Sequence, residues 1–142
     1  MADYYAGTSV LVKRYVVERG SEWVRAVCDP VNGHVLITSE LVAVEFISAL
    51  MRRAREGVLA PELYRAQRDD FLTQYGAQDQ IVPLTARVLT QARDLLERHW
   101  LRAYDALHLA SALSANALMR AANLPALTLL AADERLLVAA QA

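Results

Sequence analysis

A chain of 142 residues with 55% hydrophobic content has the size of one compact domain and can bury a core without disulfides as staples. A formal net charge of −1 and a pI near 6.3 exclude a globally basic nucleic-acid binder, so any such contact must come from a local patch. The single cysteine, Cys28, excludes an intramolecular disulfide, and no apolar run is long enough to span a membrane. With no signal-like leader, the expectation is a soluble, cytoplasmic protein. Lys13 is the only lysine among 15 basic residues, and the arginines that make up the rest suit phosphate contacts.

In chain order, Tyr4–Ala6 reads as a short buried strand that ends in the turn Gly7–Thr8–Ser9. Val10–Val17 continues as a short helix or irregular segment, broken at Gly20. Ser21 is the expected N-cap of a helix to Asp29, which Pro30 stops. A second strand, Val35–Thr38, follows the turn residues Asn32–Gly33. Ser39 is expected to cap a longer helix, Glu40–Glu56, with Gly57 just past its end. Pro61 fits the first position of a helix to Tyr75. Ile81–Val82 reads as a buried strand and Thr85–His99 as an amphipathic helix. Ala103–Ala122 is apolar almost all round, which predicts a central helix. Pro125 breaks it, Leu127–Ala131 forms the last strand, and Asp133 opens a terminal helix. Strands alternating with helices imply one α/β domain with a parallel sheet covered on both faces.

Three carboxylates interrupt apolar segments: Glu45 in LVAVEFISAL, Asp105 in LRAYDALHLASAL and Asp133 in LTLLAADERLLVAA. Carboxylates in such surroundings are costly unless paired or holding a cation. Each also has a plainer reading. Glu45 could be a boundary residue whose tip reaches solvent. Asp105 could complement the dipole at a helix start, and Asp133 could be an N-cap. Taken together they make a stronger pattern, because ligands of an open parallel sheet gather outside the C-terminal ends of its strands. Several carboxylates without clustered cysteine or histidine are the donor set for Mg²⁺ or Mn²⁺. His108, alone on an apolar helix, reads as a satisfied core residue rather than a ligand.

Four stretches, YYAGTSVLVKRYVVERGS, SELVAVEFISALMRR, LRAYDALHLASAL and LAADERLLVAA, resemble the PIN-domain family over essentially the whole chain. In particular they resemble the VapC-like toxin nucleases of bacterial type II toxin–antitoxin systems. The resemblance implies a single three-layer α/β/α domain over residues 1–142, with a central, mostly parallel sheet. It also implies an acidic pocket for one or two Mg²⁺ or Mn²⁺ ions and endonucleolytic cleavage of RNA. The catalytic and metal-holding roles fall on Glu45, Asp105 and Asp133. Thr8, Ser9 and Arg102 match supporting positions.

Gly7 stands where the pattern places its first aspartate. Asp3 cannot easily replace it, since four residues along a strand span about 13 Å. The expected partners are an RNA substrate, a cognate antitoxin and a second copy of the chain, with no membrane. Arg14, Arg52 and Arg102 are candidates for tracking RNA backbone. The leading expectation is a metal-dependent ribonuclease toxin attenuated by Gly7, and the alternative is a non-catalytic PIN-like module that binds antitoxin or RNA. A third reading is a helical interaction domain, with a partner groove at Ile47–Leu50 and Tyr64–Tyr75.

Overall fold

Among the described residues, four short strands form one parallel sheet: β1 (Asp3–Ala6), β2 (Val35–Ser39), β3 (Gln80–Val82) and β4 (Thr128–Leu130), in the order β3-β2-β1-β4. The computed structural model describes residues 2–131 and 134–142. Tyr5 sits mid-sheet, level with Ile37 on one side and Leu129 on the other.

The side chains alternate with the strand period of two. Tyr4, Ala6, Leu36 and Leu130 face a cluster containing Val10, Leu11, Val42, Phe46 and Phe71. Tyr5, Ile37 and Leu129 face the opposite layer, with Ala112 and Ala115. Both faces of the sheet are therefore buried. The architecture is the expected three-layer α/β/α sandwich.

One layer holds α1 (Thr8–Tyr15), α2 (Ser21–Cys28), α3 (Leu41–Arg55) and α4 (Pro61–Ala77). The other holds α5 (Ala86–Arg98), α6 (Ala103–Ala121) and α7 (Glu134–Gln141). On α3, Val42, Phe46 and Leu50 recur every four residues and are fully buried, so one face of that helix is welded to the core. The Phe46 and Phe71 rings stack at 4.0 Å and join α3 to α4. Leu50 and Phe71 of the stretches Ile47–Leu50 and Tyr64–Tyr75 are spent on the core, with Ile47, Tyr64 and Tyr75 packed against it, while Leu72 keeps an exposed apolar side chain there.

Several caps differ from expectation in an instructive way. Gly20, at φ +89°, is the residue before α2, while the buried Ser21 hydroxyl accepts from the Glu18 N–H and donates to the Val16 carbonyl. Ser21 therefore ties the preceding turn together instead of capping the helix. Ser39 accepts from the Leu41 N–H at 3.1 Å, so it acts one residue ahead of the observed helix boundary. Gly57, at φ +76°, ends α3 in the left-handed conformation that only glycine enters freely. The apolar α6 is buried at Ala106, at 108–112 and at Ala115, but Leu113 and Leu118 are exposed, so it is central only over its first half.

The chain runs from β1 to β2 and β3 on one side, and β4 lies on the other side of β1. That reversal opens a crevice outside the C-terminal ends of β1 and β4.

Candidate functional site

A cavity of about 250 Å³ occupies this crevice, and Gly7, Thr8, Ser9, Glu45, Arg102 and Asp105 all line it. These residues come from three places in the chain. Gly7 leaves the end of β1, Thr8 and Ser9 begin α1, and Glu45 projects from the second turn of α3. Asp105 lies in the first turn of α6, where the helix dipole favours a carboxylate. Asp133 lies outside the described residues. Asp3 is at the opposite end of β1, level with Val35, and does not reach the cavity.

The two described carboxylates are mostly withdrawn from water, with side-chain exposures of 18% for Glu45 and 14% for Asp105. Each has a hydrogen-bond donor. Arg102 Nε donates to Asp105 Oδ2 at 3.1 Å, one turn back along the chain. Glu45 Oε1 accepts from the Thr8 hydroxyl at 2.8 Å and lies 2.6 Å from His108 Nε2. Both contacts fall on one oxygen, and among the described residues no hydrogen bond reaches Oε2. A carboxylate that is pinned on one oxygen and open on the other is oriented for a further ligand.

His108 is buried, as expected, yet its partners belong to the site. An ionised carboxylate only accepts, so His108 Nε2 carries the hydrogen in the bond to Glu45. The Tyr5 hydroxyl lies 2.8 Å from Nδ1. Burial pushes the Tyr5 pKa well above its usual value. The hydrogen bond with Ser111 opposes that shift, the Glu45 charge adds to it, and the hydrogen bond with Ser39 opposes it more weakly. Tyr5 therefore keeps its proton and can donate to Nδ1. The resulting chain, Tyr5–His108–Glu45–Thr8, links β1, α6, α3 and α1 across the site. Sequence reading left His108 and Tyr5 out of it. The available signal was spacing, since three residues along a helix place His108 on the same face as Asp105.

Gly7 sits against this chain. A Cβ built there would meet the His108 ring at 3.5 Å, an ordinary contact. The position is extended, at φ −87° and ψ −178°, and precedes α1 as an N-cap without a side-chain hydrogen bond. The backbone thus has no need of glycine here.

The donors fit a hard divalent cation, because Glu45 and Asp105 offer carboxylate oxygen and Thr8 and Ser9 offer hydroxyls. Among the described residues, no three Asp, Glu, His or Cys side chains form a metal cage. The basic candidates separate in space. Arg102 lines the cavity, and Arg52 lines the adjoining groove between α1 and α3. Arg14 donates to Gln78 and lies in a different cleft with Asp29 and Asp70. That corrects its assignment as a backbone-tracking residue of this site.

A three-layer sandwich with two carboxylates in the crevice beside β1 is the architecture of a PIN domain. The family model "PIN domain" matches residues 4–141, and the chain belongs to that family. The chain is 37% identical over 111 residues to "Ribonuclease VapC45" of Mycobacterium tuberculosis (strain CDC 1551 / Oshkosh) and equally to "Ribonuclease VapC49" of Mycobacterium tuberculosis (strain ATCC 25618 / H37Rv). Each match covers 78% of this chain and 74% of the relative. Among solved structures, Mycobacterium tuberculosis VapC20, described as a sarcin-ricin loop cleaving toxin, superposes with a TM-score of 0.64. It is 20% identical, over 96% of this chain and 94% of that one. VapBC2 from Rickettsia felis, bound to a DNA fragment from its promoter, matches with a TM-score of 0.59 at 15% identity, over 92% of this chain and 99% of that one.

Proposed function

We propose that this chain is the toxin component of a type II toxin–antitoxin system, a metal-dependent endoribonuclease attenuated by Gly7. The observation that carries this reading is the convergence of Glu45 and Asp105, with Thr8 and Ser9, on the crevice where a family ribonuclease holds its acids. Gly7 lines the same crevice. Glu45, Asp105 and Asp133 are the residues assigned to Mg²⁺ or Mn²⁺. When bound, the ion supplies Lewis-acid stabilisation of charge at the scissile phosphate.

The rest of the work falls to the chain itself. Thr8 and His108 hold Glu45 in one orientation. Arg102 orients Asp105 and brings a positive charge to the cavity mouth, where a phosphate would approach. The assigned substrate is RNA, the assigned partners are a cognate antitoxin and a second copy of the chain, and the compartment is the cytoplasm. Loss of the first carboxylate removes one ligand and one negative charge, which weakens retention of the ion while leaving the fold intact.

Gly7→Asp tests this directly. With Mn²⁺ present, the variant is expected to cleave RNA faster than the present chain by roughly 100-fold or more, at least the effect of losing an outer-shell partner. If both proteins are equally inert at matched purity, the nuclease reading fails. Gly7 also favours a second reading, a PIN module that has given up cleavage and binds antitoxin or RNA. Mn²⁺ titration separates the two, since micromolar binding by the present chain supports a surviving site. Toxicity on expression in bacteria would eliminate the second reading.

A further inference from the structure

The carboxylate cavity shares a wall with a groove of about 550 Å³ between α1 and α3, and Tyr104 belongs to both. Tyr104 is the second residue of α6, directly before Asp105, and is 59% exposed. The other five tyrosines each pack against a ring or a guanidinium. Tyr4 meets Trp23, Tyr5 meets His108, Tyr15 meets Phe46, Tyr64 meets Arg68 and Tyr75 meets Phe71. Among the described residues the Tyr104 ring has no such partner. A helix thus holds an aromatic face open to solvent at the junction between the acids and the groove.

The groove itself is mixed in character. Val44, 70% exposed, and Leu41 give it an apolar side, while Lys13, Arg52 and Arg53 line it with positive charge. Lys13 and Arg53 share the Glu18 carboxylate, at 3.2 and 3.6 Å, whereas Arg52 has no acidic partner among the described residues. Cations beside a free aromatic face are what a single strand of nucleic acid requires. The phosphates follow the charge and a base stacks on the ring. A duplex cannot use such a ring, because its base faces are already stacked.

We infer that Tyr104 stacks on an unpaired RNA base next to the scissile phosphate and so selects single-stranded over duplex RNA. This rests on the ribonuclease reading of the neighbouring carboxylates. Tyr104 is a specificity-determining residue in this account and takes no part in bond cleavage.

Binding in EDTA isolates the effect from cleavage. The full chain is titrated into a short single-stranded RNA carrying 2-aminopurine, and into the same strand annealed as a duplex. The present chain is expected to quench the fluorophore and to prefer the single strand. Tyr104→Ala should lose the quench and bind the single strand about 5- to 150-fold more weakly, the range for one lost stack. Its duplex affinity should change by less than about twofold and its unfolding midpoint should stay in place. Tyr104→Trp should restore both quench and affinity. Unchanged single-strand binding by Tyr104→Ala, or equal losses on both RNAs, overturns the inference while leaving the ribonuclease reading standing. If the present chain binds neither RNA, the ribonuclease reading falls and the inference falls with it.

Discussion

At the scale of the residue, position 7 dominates because nothing in the local backbone demands glycine there. Its extended dihedrals accept any side chain, and the nearest atoms to a new Cβ are those of the His108 ring at van der Waals distance. Gly7→Asp is therefore expected to fold. A capping aspartate at the start of α1 gains only a few tenths of a kcal/mol over glycine, against repulsion from Glu45 and Asp105. Without metal, the thermal midpoint should move little. With Mn²⁺ it should rise more in Gly7→Asp than in the parent, because stabilisation by a ligand grows with the logarithm of its affinity for the folded state. Equal shifts in a thermal scan would mean that position 7 contributes nothing to cation binding. His108 offers a second check. Replacing it with alanine in the Gly7→Asp background removes the Nε2–H that orients Glu45. Outer-shell losses of this kind typically cost about 10- to 100-fold in metal affinity. A Mn²⁺ isotherm unmoved by His108→Ala would sink the positioning role.

Among the elements, α3 carries Glu45 to the site, and its own position depends on the packing of the very next residue. Phe46 is fully buried, stacks on Phe71 of α4 at an interplanar angle of 7°, and receives the edge of Tyr15 at 5.1 Å. Phe71→Ala is expected to cost about 3–5 kcal/mol, the usual range for emptying an aromatic site in a core. Urea unfolding should give a lower midpoint with an unchanged slope, and a loss under about 1 kcal/mol would mean that α4 does not brace α3. The caps were only partly legible in advance. Thr85 was read as the first residue of its helix, but it stands one position earlier, where its hydroxyl accepts from the Val88 N–H. Ser21 carries the residue type of a cap and spends its hydroxyl on the turn before the helix. Residue type alone could not distinguish these uses, because both satisfy backbone groups within a few residues.

For the molecule as a whole, the clearest pH-dependent term lies away from the cleft. Burial raises the Asp79 carboxyl from its ordinary 3.8 to about 6, with Arg14 pulling the other way. The folded chain therefore holds this proton more tightly than the unfolded chain does. Stability from this group is present in acid, falls as pH rises from about 4 through about 6, and stays lower above that. Asp79→Asn should be more stable than the parent at neutral pH, and the difference should close toward about pH 4. Urea midpoints across that interval measure it. A gap that does not vary with pH would refute the buried-carboxyl account.

From the residues alone came the fold class, the alternation of strands and helices, the acids and the vacancy among them at position 7. Those properties are local: apolar period, turn residues, and the cost of a charge in an apolar segment. Contacts between distant segments needed the tertiary structure. It brought Glu45 and Asp105 into one cavity beside β1, buried Leu50 and Phe71 of the Ile47–Leu50 and Tyr64–Tyr75 stretches in the core, and moved Arg14 to a separate cleft. It also turned His108 from a core residue into the donor that aims Glu45, through a contact 63 positions apart in the chain. No periodicity encodes a pairing at that separation. Only the placement of α3 and α6 on opposite faces of the sheet, reaching each other past the end of β1, decides it.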